Sequence, residues 1–230
     1  MTSPEEVVAA IRELGRVAHA VESSPAARAR AIAAIEDARA TLAEGSPRLR
    51  WYEVESEQSA ATRARNRELS TFSGTLNPVA PPMAIRTGEL SDGRTALIGS
   101  VRLDRLREGP PHSVHGGVLA GLFDELLGGG QRLNGGPPGM TGKLTVRYRR
   151  PTPLDAELEL RVWIHDERRR RVTVRGECVV VGHGQDEAEA VTAEAEAIFL
   201  RVDFEKLSDS MRGRAPGETP APAPPRSVDD

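Results

Sequence analysis

Between residues 115 and 129 runs a stretch that would be apolar on nearly every side of a helix and yet carries acid. Val118, Leu119, Ala120, Leu122, Phe123, Leu126 and Leu127 surround Asp124 and Glu125. A helix that apolar cannot lie on a surface; something must wrap it. The flanking sequence supplies the wrapping. Residues 83–90 and 95–103 read as strands joined by the turn Ser91-Asp92-Gly93, and Pro110-Pro111 then breaks the chain before the apolar helix. Strands over 142–149, 155–166, 170–182 and 189–203 follow. In the first of these Leu144, Val146 and Tyr148 alternate with Thr145, Arg147 and Arg149. The order is an α+β arrangement, an antiparallel sheet around one central helix.

Before this domain the pattern is helical. Ser3-Pro4-Glu5-Glu6 supplies an N-cap serine, a proline at the first helical position and a glutamate three residues after the cap. Val7, Ile11, Leu14, Ala18 and Val21 follow at spacings of three and four. Ser24-Pro25 starts a second, Ala-rich helix that ends near Gly45. Residues 1–45 are expected to form a helical hairpin with one apolar stripe, packed on the main domain or a partner. Residues 46–76 form a connection containing a helix over 57–72, closed by Asn77-Pro78 and Pro81-Pro82. The main domain spans 77–207. The tail from 208, with Ala-Pro-Ala-Pro-Pro, has too little apolar content to fold and is expected to be disordered.

Composition excludes several classes. Hydrophobic residues make up only 38% of the chain, so part of it lies outside any core. A net charge of −3 provides no cationic field for nucleic acid or anionic lipid. No window approaches the roughly 18 apolar residues of a membrane span, and the first twenty residues lack a signal peptide's apolar core. The chain reads as cytoplasmic. Cys178, the single cysteine, sits in an apolar run and reads as a buried structural thiol, with no disulfide or cysteine-rich zinc site available. His165 and His183 have no partners at metal spacing. A Gly-x-Ser-x-Gly elbow and a Walker loop are both absent.

The chemistry therefore concentrates at His115-Gly116-Gly117 and Asp124. Two glycines at a helix start leave N–H groups unobstructed where the helix dipole favours negative charge, as an oxyanion requires. Asp124, within an apolar helix, is a candidate general base or nucleophile, and Glu125 is the competing acid. His115 reads as a positioning residue. Gly116 and Asp124 stand eight residues apart, about 12 Å along one helix. One helix cannot bring both to the same carbonyl, whereas two copies about a two-fold axis can.

The segment from Glu108 to Gly117, with Asp124-Glu125, Gly128 and the later Tyr148-Arg149-Arg150-Pro151-Thr152-Pro153, resembles the PaaI-type thioesterases of the 4HBT superfamily, and among them the carboxyl-terminal-modulator-like branch. The resemblance covers about 77–202 and implies a hot-dog fold. It also implies hydrolysis of acyl-CoA, no metal, no cofactor beyond the CoA of the substrate, and homodimers or dimers of dimers with sites between subunits. By position it makes Asp124 the base or nucleophile, Gly116 the oxyanion donor and Thr141 a hydroxyl that positions water. Arg147, Arg149 and Arg170 become CoA contacts, a role guanidinium forks suit. Many members place an asparagine six residues before the histidine; here that position is Gly109. The alternative is a non-catalytic acyl-CoA-binding or regulatory oligomeric module.

Overall fold

Ser3 opens the first helix as expected: its side chain accepts from the Glu6 N–H at 3.3 Å while the Glu6 carboxylate accepts from the Ser3 N–H at 2.7 Å. The computed structural model describes residues 2–46, 67–137, 139–182 and 190–201. Helix α1 spans Pro4–Ala20 and α2 spans Pro25–Ala43. The sequence suggested a hairpin; α1 and α2 form no extensive interface with each other. Val21 and Ser24 lie in extended backbone, so the link does not reverse the chain tightly. Helix α2 buries no residue, and Ile32 and Leu42 remain 62% and 54% exposed.

Helix α1 does dock on the main domain. Val8 is buried, Arg16 Nε meets Asp104 at 2.5 Å, and one Arg12 nitrogen donates to the carbonyls of Gly74 at 3.0 Å and Asn77 at 2.7 Å. Burial, then repulsion from Arg16 and Arg107, holds the Arg12 guanidinium below its ordinary pKa.

Six strands form one antiparallel sheet: β1 (Ala84–Glu89), β2 (Thr95–Arg102), β3 (Gly139–Tyr148), β4 (Glu157–Arg168), β5 (Arg171–Val180) and β6 (Ala190–Arg201). Their spatial order is β1-β2-β4-β5-β6-β3, which leaves β3 at an edge. Helix α3 (Gly116–Gly130) lies against the sheet and packs on β2, β3, β4, β5 and β6. This is the hot-dog arrangement. Leu119, Leu122, Phe123, Leu126 and Leu127 are fully buried against Leu158, Leu160, Val162, Val172, Val174 and Phe199. The strands alternate accordingly, as in β4, where Leu158, Leu160 and Val162 are buried and Glu157, Glu159 and Arg161 are not. No described helix is long and apolar enough to cross a membrane.

Of the helix expected over 57–72, residues 57–66 lie outside the described residues, as does the tail from 208. The described part, 67–77, is mostly turns that close on themselves and sit on α3.

Because α3 supplies the centre of the core, Leu122→Ala should cost about 2–5 kcal/mol. A urea unfolding midpoint that stays at the wild-type value would contradict that placement.

Candidate active site

The start of α3 is built by its N-cap. His115 Nδ1 accepts from the Gly117 N–H at 3.0 Å, so that donor is occupied. The Gly116 N–H has no acceptor among the described residues, which leaves Gly116 rather than Gly117 as the open donor. The Gly116 carbonyl accepts from the Tyr148 hydroxyl at 2.8 Å, which fixes the first helical peptide from the β3 side.

The loop before the helix is tightly tied. The His115 N–H donates to the Arg107 carbonyl at 2.8 Å, Val114 to Thr152 at 2.8 Å, and His112 to the Glu108 carboxylate at 2.7 Å. His112 itself takes the left-handed conformation at φ 59°. Gly109 is explained here: a methyl group on it would stand 2.7 Å from the His115 Cα. The chain crosses itself at this point, and an asparagine would not fit without moving the loop.

Asp124 faces outward. The sequence suggested a carboxylate buried in the apolar helix, but it is exposed in the protomer. At about 100° per residue, the buried leucines centre on one side of α3, and Gly117, Gly121, Asp124 and Gly128 fall on the other. Thr141 Oγ1 donates to Asp124 Oδ1 at 3.1 Å. That contact depends on a β-bulge in β3, where the register shifts between Thr141 and Lys143. Thr141 pairs with core-facing Phe199 and Leu144 with core-facing Ala197, while Lys143 between them pairs with Ile198. In a regular strand, with Gly142 paired in the ladder, Thr141 would share the outer face with Lys143.

Glu125, the competing acid, is already engaged. Its Oε1 accepts from Ser70 Oγ and Ser73 Oγ, each at 2.5 Å. Sequence reasoning missed Ser70, Ser73 and Tyr148 as partners of this helix. Nothing in the spacing of two serines fifty residues upstream signals the contact.

The three candidate CoA arginines are not gathered at Asp124 in one protomer. Arg147 opposes Glu194 on the outer sheet face, with its side chain exposed. Arg149 is paired with the Glu194 carboxylate at 2.6 and 3.0 Å. Arg170 stands at the exposed tip of the β4–β5 hairpin, near the opposite end of β6. On the same outer face Arg94 stacks 4.2 Å from the Trp163 ring centroid. Among the described residues no set of three His, Cys, Asp or Glu gathers to hold a metal.

Residues 112–186 match the thioesterase superfamily. That stretch contains α3, Asp124 and Thr141. No curated protein matches the chain. A thioesterase superfamily protein of solved structure is 28% identical, with a TM-score of 0.69, and the alignment covers 86% of this chain and 95% of that one. The zebra fish thioesterase superfamily member 2 is 11% identical, covering 63% of this chain and 99% of its own, at a TM-score of 0.48. An acyl-CoA hydrolase from Staphylococcus aureus, bound to butyryl coenzyme A and coenzyme A, is 14% identical, covering 48% and 67%, at a TM-score of 0.45.

Cys178 belongs to the core. Desolvation pushes its thiol up to about 11, against a smaller opposing effect of the Thr192 hydroxyl, so it is no thiolate nucleophile. Between pH 9.0, where an ordinary thiol of the unfolded chain ionises, and about 11, where the buried one does, folding must hold a proton that the unfolded chain releases. The thiol's contribution to stability is therefore intact below pH 9 and lost as pH rises through 11. Cys178→Ala should flatten this part of the pH–stability curve, measured as urea midpoints from pH 8 to 11.

Proposed function

We propose that the protein hydrolyses acyl-CoA thioesters to the free acid and CoA, and that Asp124 and the Gly116 N–H do the chemistry. The observation that carries this reading is an outward-facing carboxylate held by a hydroxyl on a helix whose first N–H is open, inside the thioesterase superfamily match. The 28% identical thioesterase superfamily structure supports the thioester as the bond cleaved. The acyl-CoA part comes from the resemblance to the PaaI-type enzymes, and the carboxyl-terminal-modulator-like branch is proposed on the same ground.

As a base, Asp124 takes a proton from water, whose oxygen bonds to the thioester carbon. The carbonyl oxygen gains charge against the Gly116 N–H, the carbon–sulfur bond breaks, and the CoA sulfur leaves with the proton returned to it. As a nucleophile, Asp124 attacks the carbon itself, the carbon–sulfur bond breaks and the CoA thiolate leaves to take a proton from solvent; water then attacks the Asp124 carbonyl of the mixed anhydride and releases the acid. Thr141 holds one carboxylate oxygen and leaves the other for either role. His115 positions the helix start through the Gly117 N–H.

Gly116 and Asp124 lie about 12 Å apart along α3, so two copies of the chain are needed to bring one of each to a single carbonyl. The open edge of β3, beside Thr141 and Tyr148, suits such a partner. The active unit is therefore a homodimer, or a dimer of dimers, with sites at the interface. Arg147, Arg149 and Arg170 remain proposed contacts for the phosphates of CoA, reached from across that interface.

The test is release of free CoA from a panel of acyl-CoAs. Asp124→Asn should abolish turnover, a loss of at least about a thousandfold, while CoA binding persists; Glu125→Gln should retain turnover. Wild-type rates in Asp124→Asn would refute the assignment, and CoA binding without turnover in the wild type would favour a binding module. One turnover in ¹⁸O-water separates the two chemistries, since the nucleophilic route places the label in Asp124.

A further inference from the structure

The outward face of α3 is a strip of glycine with one acid in it, and among the described residues only Gly121 is covered by a side chain from elsewhere in the chain. Among the described residues, nothing lies within 4 Å of where a Cβ on Gly128 would stand, and Gly117 meets only its own N-cap histidine. At Gly121 the ring of Phe72 lies so close that a methyl group would overlap it. Gly121 is one helical turn before Asp124 and Glu125, where side chains are direct neighbours. Phe72 therefore rests on the helix backbone beside the carboxylate, in a notch that only glycine provides.

The ring is held from two sides. Ser70 and Ser73, flanking Phe72, both donate to Glu125 on α3. The loop carrying them is closed by Gly74 N–H to the Ser70 carbonyl at 3.1 Å, Leu76 N–H to the Glu68 carbonyl at 2.8 Å, and the Asn77 side chain to the Ser70 carbonyl at 3.1 Å. Arg12 of α1 then grips the far side of the same loop through the carbonyls of Gly74 and Asn77. Helix α1 thus braces the loop that carries Phe72.

We propose that Phe72, seated in the Gly121 notch by the Glu125–Ser70/Ser73 clamp and braced by Arg12, determines the size of acyl group accepted beside Asp124. The inference rests on the thioesterase reading above. With the thioester carbon at Asp124, the acyl group cannot enter the sheet side of α3, where Leu119, Leu122, Phe123, Leu126 and Leu127 are packed without exposure. It must follow the outward glycine strip, and among the described residues the Phe72 ring is the large side chain seated on that strip, at Gly121. The wild-type ring closes the notch to long or branched chains. Arg12 and Glu125 act through the loop and are positioning residues.

The experiment measures kcat/KM for acyl-CoAs from acetyl to palmitoyl, and for phenylacetyl-CoA, with the full-length chain. Phe72→Ala should raise the ratio of long-chain to short-chain kcat/KM by on the order of tenfold or more, the discrimination a methylene or two commands in an apolar pocket. The change should fall mainly in KM for the long substrates. Phe72→Leu should shift it less. Arg12→Ala, far from the carboxylate, should move the profile in the same direction while short-chain kcat stays put. An unchanged chain-length profile in Phe72→Ala and Phe72→Leu, both folded and turning over, overturns the inference and leaves the thioesterase reading standing. A wild type that releases no CoA from any substrate overturns that reading, and the inference with it.

Discussion

The burial of one side of α3 is the constraint on which the rest depends. Five large side chains of this helix are fully enclosed by the sheet, so the helix cannot rotate about its axis without exposing them. That fixes which residues face outward, and those are Gly117, Gly121, Asp124 and Gly128. The same packing that stabilises the domain therefore aims the carboxylate and leaves the backbone beside it bare. Glu125, one residue on, is turned far enough round to be taken by two serines instead.

Smaller devices refine that orientation. The His115 N-cap uses up the second helical N–H and leaves the first open, and the Tyr148 hydroxyl anchors the same peptide through its carbonyl. The bulge at Gly142 turns Thr141 inward so that its hydroxyl reaches Asp124. Each is a local departure from regular structure, and each lies at the proposed site. Bulges of this kind re-aim a side chain where a regular strand would send it to the opposite face. Close backbone crossings govern the neighbourhood too: Gly109 against His115 accounts for the lack of a side chain at that position.

The N-terminal helices divide in function. Helix α1 is tied to the domain by Arg12 and Arg16, with contacts that reach both the 74–77 loop and Asp104. Asp104 in turn caps the short 3-10 turn Arg105–Arg107, whose last carbonyl holds the His115 N–H. Both ends of the site are thus linked to α1 through the side chains of Arg12 and Arg16. Helix α2, with no buried residue, contributes nothing to this protomer's core.

The elements themselves were legible in the chain. Period-two alternation located the six strands to within a few residues, the capping pattern at Ser3 located α1, and the apolar run around Asp124 identified the helix that the sheet must wrap, because periodicity and caps act over a few residues. The site was legible as residue types, His115, Gly116 and Asp124, and less so as an arrangement. Whether Gly116 or Gly117 keeps a free N–H is decided by how the His115 ring turns, while the partners of Asp124 and Glu125 and what covers Gly121 depend on groups far away in the chain: Ser70, Phe72, Ser73 and Thr141. That a helix bearing an acid would be enclosed by a sheet follows from its local apolar composition. Which side of that helix stays open does not, since the angle at which it seats is set by the packing of five side chains against strands that no local pattern relates to it.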